Sequence, residues 1–175
     1  SDACEKLRFE AIAAPELLGD GGELAIDLAV DADAHTLTLR DNGIGMSHDE
    51  LVQNLGTVAH SGTRRFLDSI AAGQKVDAQL IGQFGVGFYS AFIVADSIAV
   101  TSRRAGHDDA WTWRSTGDGQ FSIEPAPADT PRGTTLQLHI REDAGDYLQA
   151  WKLRSLVRMY SDHVGFPIRM PKPVE

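Results

Sequence analysis

The sequence has almost no cysteine and no long apolar run. Its 175 residues include a single cysteine, Cys4, so an internal disulfide is excluded and a reducing compartment is expected. No apolar stretch approaches the roughly 18 residues that a membrane-spanning helix requires, and no secretory signal is visible. We therefore expect a cytoplasmic domain that does not contact a membrane.

The sequence also lacks an excess of positive charge and the common motifs of catalytic and metal sites. Lys and Arg number 16 against 25 Asp and Glu, which gives a net charge of −9, and no basic stripe could neutralise nucleic-acid phosphates. The six histidines show no metal-ligand spacing, and the Gly-x-Ser-x-Gly and Walker patterns are absent. Nucleic acid is therefore not expected as a partner. A nucleotide remains possible, because backbone N–H groups and a metal ion can meet its few phosphates.

What the sequence does contain is a set of short amphipathic segments with two different periods. Apolar residues at helical spacing predict helices over 1–14, from the capping box at 47–50, over 66–73, over 88–94 and over 148–160. Alternating residues predict strands around 24–30, 37–39, 98–100, 111–113, 121–123 and 136–140. Because strands and helices do not alternate regularly, we predict an α+β fold, a two-layer sandwich with helices on one face of a mostly antiparallel sheet.

Two details of this prediction can be compared directly with a structure. The strands joined by the short turn 31–34 must be antiparallel. In the last helix, the apolar pattern predicts that five side chains face the core: Leu148, Trp151, Leu156, Val157 and Tyr160.

The first candidate binding residue is Asp41, where the second strand ends. Asp-Asn-Gly at 41–43 is ordinary turn chemistry, so a plain turn is one interpretation. The other is that the Asp41 carboxylate accepts a hydrogen bond from the exocyclic amine of adenine. Guanine would present a carbonyl oxygen there, and the mismatch would cost about 1–3 kcal/mol. Gly43 and Gly45 would let the backbone pass close to the flat base.

Three further segments have both a structural and a functional interpretation. The glycines at 82–87 could turn backbone N–H groups toward phosphate oxygens, or could form a hinge before a buried helix. Asn54 could bind a ribose or phosphate, or could be a solvated helix residue. Thr134 could contact the base directly or through water, although threonine is common at the start of a strand.

Taken together, these motifs resemble the ninety-kilodalton heat-shock chaperones, in particular their bacterial form. The resemblance covers essentially the whole chain and is carried by the segments 1–3, 41–46, 54–59, 61–63, 81–90 and 132–134. It implies the ATP-binding fold of gyrase-type topoisomerases, histidine kinases and mismatch-repair ATPases. Residues 1–175 would be the N-terminal nucleotide-binding domain, lacking its extreme N-terminus, with a lid at about 56–80 and a middle domain beyond the chain.

The resemblance also implies a site for ATP or ADP with Mg²⁺. Asp41 and Thr134 would bind the adenine, Asn54 would contact the sugar and phosphate, and the lid would close over the nucleotide. The residues expected to contact the nucleotide are Asp41, Gly45, Met46, Asn54, Leu55, His60, Ser61, Gly62, Gly82, Gln83, Phe84, Gly85, Val86, Gly87, Phe88 and Thr134.

Three departures from the family pattern concern catalysis. In the family, a glutamate general base and a magnesium-binding asparagine precede the segment that begins here at Ser1, so we expect no catalytic or metal-binding residue in this chain and little hydrolysis. His60 stands where relatives usually have a lysine, and a neutral imidazole is a weaker phosphate partner. The arginine that relatives bring to the γ-phosphate comes from another domain.

The family's partners are client proteins, and its ATP cycle closes a dimer clamp. Because dimerisation relies on a distant C-terminal domain, the resemblance implies a monomeric chain and a homodimeric intact protein. Two alternatives remain: an ATP-binding domain of a topoisomerase, histidine kinase or mismatch-repair ATPase, and a binding module without catalysis. The residues at 56–57 and 83–87 match the chaperone family and not these relatives, so they favour the chaperone.

Overall fold

The structure, a computed structural model, describes residues 1–20, 22–56 and 88–172. For Tyr89, Ser90 and Tyr160 it describes the backbone only. The predicted helix at 66–73, the lid beyond Gly56 and the glycine-rich segment 82–87 lie outside the described residues.

A seven-stranded sheet forms the centre of the described part. In the order β5-β4-β3-β6-β2-β1-β7, its strands are β1 (Ile26–Asp31), β2 (Thr36–Asp41), β3 (Ala95–Arg103), β4 (Trp111–Ser115), β5 (Ser122–Pro125), β6 (Gly133–Ile140) and β7 (Ile168–Arg169). Every neighbouring pair is antiparallel except β1 and β7. The predicted mostly antiparallel sheet and the hairpin of β1 and β2 are confirmed.

The helical segments are shorter than the sequence predicts. They are α1 (Asp2–Glu10), α2 (His48–Leu51), α3 (Ala150–Tyr160), a π-helical turn at Val52–Gly56, and 3₁₀ helices at Pro15–Leu18, Tyr89–Ile93 and Glu142–Leu148. The first helix ends at Glu10 rather than Ala14. Ala14 itself has non-helical backbone, as expected for the residue before a proline. Within the apolar segment 88–94, Tyr89–Ile93 forms a 3₁₀ helix. None of the helices in the described ranges is long and apolar enough to cross a bilayer.

The larger hydrophobic cluster of the described part lies on one face of the sheet. Ile98 and Val100 of β3 and Leu138 and Ile140 of β6 are buried together with Trp113, Leu51, Leu55 and Leu153. Their neighbours along β3 and β6 point to the opposite face, since side chains alternate along a strand. In the described part, α2, the π-helical turn and α3 contribute to this cluster, whereas α1 contributes Leu7 to a second, smaller cluster with Ile44 and Ala105. The predicted α+β arrangement is confirmed.

The prediction that Trp151 faces the core is wrong. Its side chain is 67% exposed, whereas Leu153 of the same helix is buried. Leu153, Leu156 and Val157 form the inward stripe at spacings of three and four. Trp151 lies two residues before Leu153, which places it roughly 200° around the helix.

Candidate functional site

The candidate site lies where three adjacent strands end. Asp41 is the last residue of β2 and is paired with Thr134 of β6. Thr134 is in turn paired with Ser102 of β3. Directly paired residues point to the same face of a sheet, and this row continues the face that carries the core. The sheet therefore brings together two predicted ligand contacts, Asp41 and Thr134, that are far apart in the sequence.

The Asp41 carboxylate is half-buried and has hydrogen-bond capacity to spare. It accepts a hydrogen bond from the Gly43 N–H at 2.9 Å. Burial raises the pKa of Asp41, while hydrogen bonds from the backbone N–H groups of Gly43 and Thr134 act in the opposite direction. No Lys or Arg in the described ranges forms an ion pair with Asp41. A carboxylate in this position is suited to accept hydrogen bonds from a neutral donor such as a purine amine.

A second group of hydrogen bonds joins Thr134 to Met46. The Thr134 hydroxyl lies 2.8 Å from the hydroxyl of Ser102. The Met46 N–H donates to Ser102 Oγ at 2.8 Å, and Ser102 also donates to the Gly133 carbonyl at 3.0 Å. The segment after Asp41 and the start of β6 are thus held together through one side chain, Ser102, that sequence reasoning missed.

The remaining predicted contacts in the described part lie beside this row. Asn54 is exposed on the π-helical turn, and its Nδ2 lies 3.8 Å from Met46 Sδ. Single π-helical turns occur frequently at functional sites. Leu55 is buried in the core, against which Met46 and Phe88 also pack. The Phe88 ring meets Trp113 edge-on, with centroids 5.4 Å apart.

The structure gives a different reason for the glycines after Asp41 from the one inferred from the sequence. A Cβ on Gly43 would lie 2.5 Å from the carbonyl carbon of Ala3 in α1. A Cβ on Gly45, whose φ is +69°, would collide with the carbonyl oxygen of Arg103. The protein's own backbone therefore requires glycine at both positions.

The backbone next to Asp41 is held by the side chains of Arg132 and Asn42, a role that sequence reasoning did not assign to them. Arg132 donates to the carbonyl of Asn42 at 3.0 Å and to the carbonyls of Leu17 and Leu18 at 3.2 and 2.8 Å. The Asn42 side chain accepts from the Ala25 N–H at 2.9 Å and donates to the Glu23 carbonyl at 2.8 Å. Sequence offers no signal for these contacts, because most of the partners are far apart along the chain.

The predicted nucleotide contacts divide between the described part of the chain and the rest. Asp41, Gly45, Met46 and Thr134 come together at the end of the sheet, with Asn54, Leu55 and Phe88 beside them. Outside the described residues lie His60, Ser61, Gly62, Gly82, Gln83, Phe84, Gly85, Val86 and Gly87.

A cavity of about 590 Å³ lies elsewhere, on the opposite face of the sheet, and Asp41 does not line it. Its lining includes Ser97, Gln137, Arg114 and His139. The two basic groups already have partners, since Arg114 pairs with Glu124 at 3.3 Å and His139 with Asp96 at 2.7 Å. We place the candidate site at Asp41 because its carboxylate is partly desolvated and retains free acceptor positions.

The sequence is similar to one protein family and to a group of curated proteins. Residues 20–126 match the model of a family described as histidine kinase-, DNA gyrase B-, and HSP90-like ATPase. The chain is 58% identical over 99% of its length to the chaperone protein HtpG of Cupriavidus necator, of which it covers 28%. It is 55% identical over its full length to HtpG of Alcanivorax borkumensis, covering 29%, and 55% identical over 97% to HtpG of Myxococcus xanthus, covering 26%. The chain thus spans a little over a quarter of these curated relatives.

Proposed function

We propose that the chain is the ATP-binding part of a molecular chaperone. It belongs to the histidine kinase-, DNA gyrase B- and HSP90-like ATPase family. The relatives that it resembles over nearly its full length are named chaperone protein HtpG. The observation that carries the binding role is the half-buried Asp41 carboxylate, paired with Thr134 at the end of the sheet.

In this proposal, the described residues bind the base and ribose. Asp41 accepts a hydrogen bond from the adenine amine, with Thr134 beside it, and Met46, Leu55 and Phe88 supply apolar surface. Asn54, exposed at the rim, contacts the sugar or phosphate. Burial removes water from the carboxylate but leaves some of its lone pairs without a hydrogen bond. An uncharged amine can donate to these lone pairs.

In the same proposal, the phosphates are bound by segments that are assigned from the sequence alone. Residues 82–87 cradle them with backbone N–H groups, and His60, Ser61 and Gly62 lie in a lid at about 56–80. Mg²⁺ accompanies the nucleotide through its phosphate oxygens. Among the described residues, no cluster of three or more His, Cys, Asp or Glu could hold a metal ion.

The longer protein that carries this domain would hydrolyse ATP in the cytoplasm and act on unfolded client proteins as a homodimer. The chaperone names of the relatives support this role over that of a topoisomerase, kinase or mismatch-repair ATPase. A chaperone assay tests it: the longer protein should suppress aggregation of an unfolded substrate in a nucleotide-dependent manner. Nucleotide-dependent DNA cleavage or transfer of phosphate to protein would contradict it.

The binding proposal is tested by titration calorimetry of the chain with ADP and with GDP. We expect ADP to bind with at least about tenfold higher affinity, because the 6-oxo group of guanine faces an acceptor. Failure of ADP to bind would overturn the nucleotide assignment. Equal affinity for the two nucleotides would overturn the role of Asp41 and Thr134 at the base.

The affinity for ADP should also fall as the pH is lowered through the raised pKa of Asp41. Only the ionised carboxylate accepts a hydrogen bond with both oxygens, and burial moves its protonation to a higher pH than the ordinary value of 3.8. The phosphates of ADP titrate as well, so the quantity to measure is the ratio of wild-type affinity to that of Asp41→Asn. We expect this ratio to shrink with acidification; a constant ratio from neutral pH down to the ordinary carboxyl range would contradict the assignment.

A further inference from the structure

Ser102 is the buried neighbour of the proposed base-binding pair. Its side chain is 0% exposed, and it lies opposite Thr134, one strand farther from Asp41. It therefore cannot reach the nucleotide itself. Its Oγ lies within hydrogen-bond distance of Met46 N at 2.8 Å, Gly133 O at 3.0 Å and Thr134 Oγ1 at 2.8 Å.

The number of hydrogens fixes the direction of these three bonds. Met46 supplies its own N–H, and the Gly133 carbonyl can only accept. A serine hydroxyl has one hydrogen and two lone pairs, so the single hydrogen of Ser102 is used on Gly133. All three bonds coexist only if the Thr134 hydroxyl donates to Ser102 Oγ. Ser102 then gives one hydrogen bond and accepts two, which satisfies it completely.

This arrangement determines what Thr134 offers to a ligand. With its hydrogen directed at Ser102, Thr134 Oγ1 presents only lone pairs toward the site. The ionised Asp41 beside it also presents only lone pairs. Two neighbouring acceptors favour a group that carries hydrogens, such as an amine or a water bound to one, and disfavour a carbonyl oxygen.

We infer that Ser102 is a positioning residue that keeps the Thr134 hydroxyl an acceptor and so sets the preference of the site for a 6-aminopurine over a 6-oxopurine. The inference rests on the proposed ATP-binding function. Without Ser102, the Thr134 hydroxyl can rotate and donate to a 6-oxo group, so the site loses discrimination.

The experiment compares ADP with inosine diphosphate, which replaces the 6-amino group by a 6-oxo group and adds no 2-amino group. The wild-type chain should prefer ADP. In Ser102→Ala the ratio of the two affinities should fall by roughly tenfold, the size of one hydrogen-bond mismatch. Ser102→Thr keeps the hydroxyl and should retain the wild-type ratio. If Ser102→Ala does not fold, Ser102→Cys gives the same test, because a thiol is a weak acceptor of similar shape.

Two matched controls separate positioning from a general loss of stability. Ser115 is also a buried serine that donates to a backbone carbonyl, of Gln120 at 2.7 Å, and accepts a backbone N–H, of Gly117 at 3.1 Å. Ser115→Ala should lower the melting temperature and leave the ratio of affinities unchanged. In a Thr134→Val background, Ser102→Ala should change the ratio little, since the hydroxyl through which it acts is gone.

Distinct results overturn the inference and the proposed function. An unchanged ratio in folded Ser102→Ala or Ser102→Cys overturns the positioning role. So does an equal change in the presence and absence of the Thr134 hydroxyl. Absence of ADP binding to the wild-type chain overturns the proposed function instead.

Discussion

Replacement of Asp41 by asparagine is expected to weaken ADP binding roughly 10- to 150-fold, the equivalent of one hydrogen bond to a charged group. The substitution keeps the shape of the side chain but removes the charge, and it places an amide that can donate where the adenine amine must donate. The carbonyl oxygen of the new amide can still accept the Gly43 N–H, so the turn should survive. Titration calorimetry with ADP measures the effect.

The same substitution should leave the unliganded domain as stable as before, or more stable. Burial raises the pKa of Asp41. For a carboxyl whose folded pKa lies above its unfolded value, the stabilising contribution is present at low pH and is lost as the pH rises through the folded pKa. At neutral pH the ionised carboxylate therefore costs free energy of folding, which asparagine removes. A large fall in the melting temperature of Asp41→Asn would contradict this account.

Asp31 provides a matched control for the binding measurement. It also ends a strand and accepts a backbone N–H, from Ala34 at 3.0 Å, but it is exposed at the far end of β1. Asp31→Asn changes the net charge by the same amount and should bind ADP as the wild-type chain does. If both substitutions weaken binding equally, the effect comes from net charge and the role of Asp41 at the base is wrong.

The parts of the fold that the sequence predicted correctly depend on local interactions. The capping box at Ser47 and Glu50 forms as expected, with Ser47 N donating to Glu50 Oε2 at 2.9 Å. The β1–β2 hairpin also follows from a short turn. In contrast, the row of Asp41, Thr134 and Ser102 depends on strand order and register. Local propensity does not determine either. From the residues alone, Asp41 and Thr134 each kept a structural interpretation beside the functional one, and only the family resemblance placed both in one site.

Sequence reasoning also misread features that depend on three-dimensional contacts. The pattern of α3 did not show which of its apolar residues would meet the core, and Trp151 is exposed in the structure. Ser102 was not considered, because a serine in a strand carries no local signal of its bonds to Met46 and Gly133. Gly45 was noticed, but the atom that requires it is the Arg103 carbonyl oxygen, which is distant in the sequence.

Replacement of Gly45 by alanine is expected to lower the free energy of unfolding by about 3 kcal/mol or more, from two causes that add. Gly45 has a φ of +69°, and left-handed backbone costs an L-residue roughly 1–2 kcal/mol. The added Cβ would also collide with the Arg103 carbonyl oxygen, a contact that only movement of backbone can relieve. Urea denaturation followed by circular dichroism measures the loss.

Gly119 separates these two causes. Its φ is +84°, so alanine there meets similar backbone strain, but no atom lies within 4 Å of the added Cβ. Gly119→Ala should therefore cost only about 1–2 kcal/mol, and the difference between the two variants measures the clash with Arg103. Movement of the 41–46 segment away from β3 would also shift Met46 from Ser102, so Gly45→Ala should weaken ADP binding whereas Gly119→Ala should not. Equal losses of stability in the two variants would show that the close approach of Gly45 to β3 does not constrain the site.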